Sequence, residues 1–179
     1  MLILASKSPR RKELLKKIIA SFVVIDAGVD ERSVRCNQSS LPLEISKLKA
    51  YGIHSKYPDD DVLACDTIVI YKDQVLGKPK DEEEAFKMLK LLSGNKHIVL
   101  SGYTYMSKNK EVNRSVKTIV YFNELSDSLI KEYIKKMKPF DKAGAYGIQD
   151  EGFDLVKGID GSFYNVMGLP IEDIKAHCF

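Results

Sequence analysis

Hydroxyl and basic side chains lie together where the first predicted helix begins. Ser6, Ser8, Arg10 and Arg11 all fall within the sequence ASKSPRR. A helix N-terminus is the positive end of the helix dipole, so cations placed there are unfavourable by a few tenths to about 1 kcal/mol. A bound anion, above all a phosphate, would compensate the arginines and the free backbone N–H groups. The pattern indicates a phosphate site, and the alternative is a solvated basic turn with arginines in surface ion pairs.

A single acidic side chain, Asp66, interrupts the apolar sequence VLACDTIVI. Burying an unpaired carboxylate costs several kcal/mol, so a metal ion, a lysine or a strand end near solvent must accompany it. The alternative is that Asp66 caps a turn, although no Gly or Pro marks a break there. The sequence therefore favours a carboxylate with a partner.

Other reactive residue types are less informative. Gly77, Lys78 and Pro79 resemble the end of a phosphate-binding loop only superficially, because GxxxxGK[ST] is absent and Pro79 cannot continue as that motif's helix. A Walker-type NTPase is therefore excluded, and Lys78 is either a point charge for a phosphate or an ordinary exposed lysine. The three histidines lack HExxH or paired spacing and no GxSxG elbow is present, which argues against zinc hydrolysis and Ser-His chemistry. Each histidine is expected on the surface or in the sheet.

The elements that must position these residues alternate between strand and helix. Apolar runs predict strands over 2–5, 22–25 and 62–71, and helical periodicity predicts helices beginning at Ser8–Pro9 and over 40–54, 81–92, 126–137 and 171–177. Alternation at period two over 97–106 and 112–122 predicts a hairpin, and six of the 11 glycines, which fall in 140–170, predict turns. These elements indicate an α/β fold with a mixed sheet, in one domain spanning 1–179.

Composition excludes several classes of protein. A chain of 179 residues with 44% hydrophobic and 30% charged residues supports a real core. A net charge of +3 is too small to indicate nucleic-acid binding, and no apolar run approaches the roughly 20 residues of a membrane span. The start of the chain has the reverse of a secretory signal's order, and Cys36, Cys65 and Cys178 form neither a disulfide framework nor a CxxC knuckle. We expect a cytoplasmic protein.

Four segments together resemble the Maf family of nucleoside triphosphate pyrophosphatases nearly from end to end. They are LASKSPRRKELL (4–15), CDTIVIYKDQVLGKPKDEEEAFKMLKLLSGNKH (65–97), FDKAGAYGIQ (140–149) and IDGSFYNVMGLP (159–170). The Asp-Thr pair after the apolar strand and the later AGAYGIQ resemble the branch that hydrolyses dTTP and UTP. The branch acting on 7-methyl-GTP typically has Gln in place of Thr67 and a different residue in place of Gln149.

The resemblance implies a set of site residues at matching positions. Ser6, Arg10 and Arg11 would hold phosphates, and Thr67 and Gln149 would lie close to the base. The implied catalytic residues are Glu31, Lys49, Asp66 and Lys78. Glu31 and Asp66 would also bind a divalent metal, with Mg²⁺ favoured and Mn²⁺ or Co²⁺ as options. The implied fold is similar to that of the inosine triphosphatases, with a long bent mixed sheet, helices in two lobes and an active-site cleft between them.

The implied reaction is attack of water on the α-phosphorus of a pyrimidine nucleoside triphosphate, which releases the monophosphate and pyrophosphate. Two rivals stay open: a non-enzymatic regulator of septum formation, and a 7-methyl-GTP pyrophosphatase. The expected partner is the nucleotide substrate, and a homodimer is left open. The chain departs from the family pattern at Cys65, at Ser46 where Ala is usual, and at Asp150 where Gly is usual.

Overall fold

The computed structural model describes residues 1–179. The strands are β1 (Leu2–Ala5), β2 (Val23–Ile25), β3 (Asp61–Tyr71), β4 (Gln74–Leu76), β5 (Lys96–Ser107), β6 (Lys110–Phe122) and β7 (Val156–Asp160). The helices are α1 (Pro9–Leu15), α2 (Leu41–His54), α3 (Glu82–Leu92), α4 (Asp127–Met137), α5 (Phe163–Met167) and α6 (Ile171–Cys178). Single turns of 3₁₀-helix lie at Glu31–Ser33 and Ala143–Ala145.

The strands form one mixed sheet in the order β2-β1-β3-β5-β6-β7, with β4 paired to β3 off this path. β1 is parallel to β2 and β3, whereas β4 and β7 pair antiparallel with β3 and β6. The predicted α/β class with a mixed sheet is therefore confirmed. The sequence did not predict β4 or β7, which are short strands of three and five residues.

The chain separates into two compact units. The first unit contains Met1–Thr67, Leu100–Val116 and Gly168–Phe179, and the second contains Ile68–Val99 and Lys117–Met167. No helix of the chain is both long enough and apolar enough to cross a bilayer.

The core of the first unit lies where β1, the first half of β3 and α2 pack together. Ile3, Ala50, Ile53 and Val62 are fully buried there. Gly102 on β5 allows α2 to start close by, because a Cβ at this position would stand 2.2 Å from the backbone nitrogen of Leu43. Any side chain at position 102 would thus displace the helix that carries Lys49.

The core of the second unit lies between α3, α4 and the strands beside them. Leu89, Leu92, Ile130 and Tyr133 are fully buried in this cluster. The predicted cap of α3 is confirmed, since the backbone N–H of Glu84 donates to Asp81 Oδ1 at 2.8 Å. The acidic residues at the start of α3 also suit the positive end of the helix dipole.

Candidate active site

Two carboxylates of the first unit contact the ammonium group of Lys49. Lys49 Nζ lies 2.7 Å from Glu31 Oε1 and 3.2 Å from Asp66 Oδ1. The Lys49 and Asp66 side chains are only 11% and 14% exposed, whereas Glu31 is 48% exposed. A lysine between two carboxylates keeps both of them close together while offsetting part of their charge. Three of the four residues that the resemblance groups as catalytic are therefore joined by contacts with Lys49.

Asp66 lies inside a strand and caps no turn. β3 runs without a break from Asp61 to Tyr71, and four buried residues precede Asp66 in it. The turn-capping alternative is therefore wrong. Of the partners that the sequence allowed for this carboxylate, the structure provides the lysine.

Lys49 reaches this position because it occupies the buried face of α2. Residues four apart share one face of a helix, so Ile45, Lys49 and Ile53 form a single stripe. All three are buried. Lys49 was predicted as a site residue only from the family resemblance. A lysine on an apolar stripe at helical spacing was the signal that could have identified it directly.

Arg11 is held by neutral oxygen atoms of the first unit. Its Nε donates to the carbonyl of Gly168 at 2.8 Å, and its terminal nitrogen donates to Thr67 Oγ1 at 3.2 Å. Neither acceptor is a carboxylate, so these contacts leave the positive charge of Arg11 without a counter-ion. For Arg11 the alternative of a surface ion pair is wrong. Arg10 is half-buried on the same turn.

The two serines at this turn hold the backbone. Ser8 caps α1, since its Oγ accepts from the backbone N–H of Arg11 at 3.4 Å. Ser6 is buried and its Oγ accepts from the N–H of Ser8 at 3.1 Å. The predicted N-cap is confirmed, and the phosphate-binding role of Ser6 and Arg10 stays a prediction.

A salt bridge that was not predicted from the sequence, between Lys7 and Asp26, lies near Lys49. Lys7 Nζ is 2.8 Å from Asp26 Oδ2, and Asp26 Oδ1 accepts from the N–H of Gly28 at 3.2 Å. The hydrogen bond from Lys7 lowers the pKa of Asp26, and the charge of Lys49 acts in the same direction. The same bond raises the pKa of Lys7. The sequence signal for this pair is that Asp26 directly follows β2. Because β2 is parallel to β1, Asp26 lies at the same edge of the sheet as Ser6, which directly follows β1.

The remaining predicted residues, Lys78 and Gln149, belong to the second unit. Lys78 is exposed in the loop after β4, and the carbonyl of its neighbour Gly77 accepts from the N–H of Gly144 at 3.1 Å. Gln149 is half-buried in a turn closed by the N–H of Asp150, which donates to Gly147 O at 3.1 Å. The roles of Lys78 and Gln149 stay predictions.

The turn that carries Gln149 is fixed by a buried tyrosine. The Tyr133 hydroxyl donates to Asp150 Oδ2 at 2.5 Å and accepts from the N–H of Gly147 at 2.9 Å. Burial and the neighbouring Asp150 raise the pKa of Tyr133, so its proton stays in place. Asp150, which departs from the family pattern, is therefore part of the support of this turn.

His97 supports the same segment from β5. Its Nε2 lies 2.7 Å from the hydroxyl of Tyr146, and its ring packs edge-on against Tyr146 and Phe122. Burial lowers the pKa of His97 to about 4, so the imidazole is neutral at physiological pH. The prediction of a sheet residue is confirmed for His97, and its role is packing.

The other two departures from the family pattern are accommodated locally. Ser46 is fully buried, and its hydroxyl reaches the carbonyl of Leu43 at 2.7 Å and Thr104 Oγ1 at 2.9 Å. Cys65 is fully buried, and its thiol donates weakly to Gly168 O at 3.6 Å. Burial raises the pKa of the Cys65 thiol, so it stays protonated and unreactive.

Glu31 and Asp66 are oxygen donors of the type that Mg²⁺ takes, and metal binding by this pair stays a prediction. Both carboxylates contact Lys49 Nζ, within 3.2 Å, so they lie on either side of an ammonium group. No three His, Cys, Asp or Glu side chains are grouped so that they could hold a metal ion by themselves. Mg²⁺ commonly binds through one or two carboxylates and takes its other ligands from substrate phosphates and water. Any ion held by Glu31 and Asp66 would therefore need further ligands from substrate and water.

The proteins that resemble this chain include a solved structure with a partial likeness and several curated relatives. The Staphylococcus aureus Ham1 protein superposes on 70% of this chain and 72% of its own with a TM-score of 0.48 and 16% identity, so nothing about function follows from it. A protein from Carboxydothermus hydrogenoformans is 46% identical over 94% of this chain and 91% of its own length. A protein from Thermosipho africanus is 47% identical over 97% and 89%, and one from Pyrococcus furiosus is 46% identical over 95% and 90%.

Each of these three relatives is named a dTTP/UTP pyrophosphatase. The family model described as Maf-like protein matches residues 1–177, almost the whole of the chain. This match and the identity to the three relatives show that the protein is a member of the Maf family.

Proposed function

We propose that this protein hydrolyses dTTP and UTP to the nucleoside monophosphate and pyrophosphate. The observation that carries the proposal is the contact of Lys49 with both Glu31 and Asp66 in a half-buried cluster. The names of three relatives that are 46–47% identical over nearly the whole chain supply the substrate class. An acidic and basic cluster of this kind serves phosphoryl chemistry and is not required for a regulator that acts only by binding.

The proposed chemistry is an in-line displacement at the α-phosphorus. The oxygen of a water molecule forms a bond to this phosphorus, and the bond from the phosphorus to the oxygen bridging the α and β phosphates breaks. Asp66 is the base that orients the water and accepts its proton, because its carboxylate is held in the strand by one partner and is only 14% exposed. The electron pair of the broken bond leaves on pyrophosphate.

Basic residues of the first unit offset the charge of the triphosphate. Arg11 presents a guanidinium that no carboxylate neutralises, whereas the charge of Lys49 is already balanced by Glu31 and Asp66. Groups that are already oriented toward developing charge lower the barrier most, since they need not reorganise during the reaction. Arg10 and Ser6 complete the phosphate-binding set in this proposal.

Glu31 and Asp66 are the residues that would hold Mg²⁺, with Mn²⁺ or Co²⁺ as substitutes. A bound divalent ion would supply charge neutralisation and Lewis acidity at the phosphates. Lys49 keeps the two carboxylates together at one place, so its ammonium organises this donor pair before any ion arrives.

A pyrophosphate-release screen tests the proposal. Purified protein is assayed against dTTP, UTP, CTP, ATP, GTP and 7-methyl-GTP, each with Mg²⁺, Mn²⁺, Co²⁺ or chelator. We expect kcat/KM for dTTP and UTP to exceed that for the purine nucleotides and 7-methyl-GTP by at least about 100-fold, because a wrong base leaves buried polar groups of the site unpaired. Turnover should vanish with chelator. Equal values for UTP and 7-methyl-GTP would overturn the substrate assignment, and no release from any nucleotide would overturn the activity.

A further inference from the structure

We propose that Ser101 is a positioning residue that fixes the guanidinium of Arg11 by way of Thr67. Ser101 lies on β5, is fully buried, and its Oγ is 2.8 Å from Thr67 Oγ1. The inference rests on the proposed function, because it concerns how the same site holds its substrate. It assigns a role to a residue that neither the motifs nor the catalytic cluster includes.

The hydrogen bonds of Thr67 can be assigned by elimination. Its Oγ1 has three partners: the terminal nitrogen of Arg11 at 3.2 Å, the carbonyl of Gly168 at 3.3 Å, and Ser101 Oγ. A guanidinium only donates and a carbonyl only accepts. The Thr67 proton is therefore directed at Gly168 O, and its oxygen accepts from Arg11. Ser101 must be the donor in the remaining bond.

This assignment uses all the hydrogen-bonding capacity of Thr67. A hydroxyl has one proton and two lone pairs, and each now has a partner. The Thr67 hydroxyl thus has no bond left for a nucleotide base while this network is intact. Thr67 acts on the substrate through Arg11, which differs from the expectation that its hydroxyl pairs with the base.

Arg11 gains its orientation from the same network. Gly168 O accepts from Arg11 Nε at 2.8 Å, so the guanidinium is fixed at two points. Two of its five N–H donors are used in this way and the other three are left for an anion. A planar guanidinium held at one edge is pre-organised for two-point binding of a phosphate at the other.

The carbonyl of Gly168 is anchored by the helix that follows it. Gly168 has a φ of +115°, a conformation that strains any other residue. α6 begins soon after it and is held by Asp173, which accepts from the Tyr103 hydroxyl at 2.7 Å and from Arg114 Nε at 2.8 Å. Ser101, Thr67 and Gly168 come from β5, β3 and the residues before α6, so their network can hold Arg11 in one orientation.

Ser101→Ala tests this role, because the substitution removes only the donor to Thr67. One hydrogen bond of this kind changes an equilibrium by about 3- to 10-fold. We expect kcat/KM for UTP to fall by that factor, with most of the change in KM. The matched control is Thr104→Val, which removes another fully buried hydroxyl of β5 whose partners are Ser46 and Asn113. The control should stay within about 2-fold of wild type.

A double-mutant cycle separates positioning from general loss of stability. If Ser101 acts through Arg11, Ser101→Ala has no further effect on kcat/KM in the Arg11→Ala background, whereas independent effects would multiply. Ser101→Thr keeps the hydroxyl and should recover most of the activity. If the threonine methyl prevents folding, the cycle alone decides.

Failure of this inference is distinguishable from failure of the proposed function. A wild-type enzyme that releases pyrophosphate, combined with a Ser101→Ala variant equal to Thr104→Val, would overturn the role of Ser101 and leave the activity standing. The role of Ser101 would also be overturned if the losses of kcat/KM in Ser101→Ala and Arg11→Ala multiplied in the double variant. A wild-type protein without turnover would instead remove the activity on which this role depends.

Discussion

The two units of the protein hold their polar side chains in opposite ways. In the first unit, Lys49 joins Glu31 and Asp66 in a cluster of charges that stays partly open to solvent. In the second, the uncharged hydroxyl of Tyr133 and the neutral ring of His97 hold the glycine-rich segment from inside the core. The partly exposed charges of the Lys49 cluster are available to a substrate, whereas Tyr133 and His97 hold the segment beside them. Changes at Glu31, Lys49 or Asp66 should therefore alter catalysis, and changes at Tyr133 or His97 should alter stability.

The largest effect is expected for Asp66→Asn. The change keeps the volume of the side chain and removes the proposed base and metal ligand. The kcat should therefore fall by about 100- to 10,000-fold. Lys49 retains Glu31 as a partner, so the melting temperature should change little. Steady-state kinetics and a thermal melt are measured on the same preparation.

Asp61→Asn is the matched control for this variant. It makes the same change on the same strand, at a carboxylate that accepts from the Tyr105 hydroxyl at 2.9 Å. Its kcat should equal that of wild type. Full turnover by a folded Asp66→Asn protein would show that Asp66 is not catalytic. The Lys49 cluster would then not differ from Tyr133 and His97 in its effect on catalysis.

The next effect is a dependence of stability on pH that originates in the second unit. Burial lowers the pKa of His97 from its ordinary 6.5 to about 4, so the unfolded chain takes up a proton at higher pH than the folded protein does. Stability due to His97 is therefore complete above pH 6.5 and is lost as the pH falls toward 4, by on the order of 2–3 kcal/mol. Urea unfolding between pH 4 and 7 measures it.

The His97→Gln variant isolates this contribution from that of the carboxylates. Its unfolding free energy should fall less steeply than that of wild type over the same pH range. His177→Gln, which changes an exposed histidine on α6, should keep the slope contributed by His97. Parallel curves for wild type and His97→Gln would show that His97 titrates normally and is not a buried support of the loop.

A smaller effect is expected for Tyr133→Phe. The lost hydroxyl leaves the N–H of Gly147 and a carboxylate oxygen of Asp150 without their partner, which should lower the unfolding free energy by about 1–3 kcal/mol. Tyr121→Phe, at an exposed tyrosine of β6, should cost less than about 0.5 kcal/mol. If the two variants are equally stable, the turn does not depend on Tyr133.

The sequence predicted the longer elements because their periodicity and caps are local properties. Ser8 and Asp81 begin their helices as expected, and β3 and the hairpin of β5 and β6 lie within two residues of their predicted bounds. β4 and β7 were missed because strands this short carry too few residues to show alternation. Their formation depends on pairing with longer strands, which a local pattern does not encode.

The site was only partly predictable for a related reason. The apolar surroundings of Asp66 showed that the carboxylate needs a partner, but its partner Lys49 is distant in sequence and was found only through the family resemblance. Ser101 carried no signal, because a single serine in a strand has no distinctive spacing. Its importance emerges only from the hydrogen bonds of Thr67, since the directions of those bonds depend on Arg11 and Gly168 together.

The position of bond cleavage tests the central claim most directly. UTP is hydrolysed in water enriched with ¹⁸O, and the products are separated and analysed by mass spectrometry. Attack at the α-phosphorus predicts one ¹⁸O atom in UMP and none in pyrophosphate. Label in pyrophosphate, or formation of UDP and inorganic phosphate, would contradict the proposed reaction.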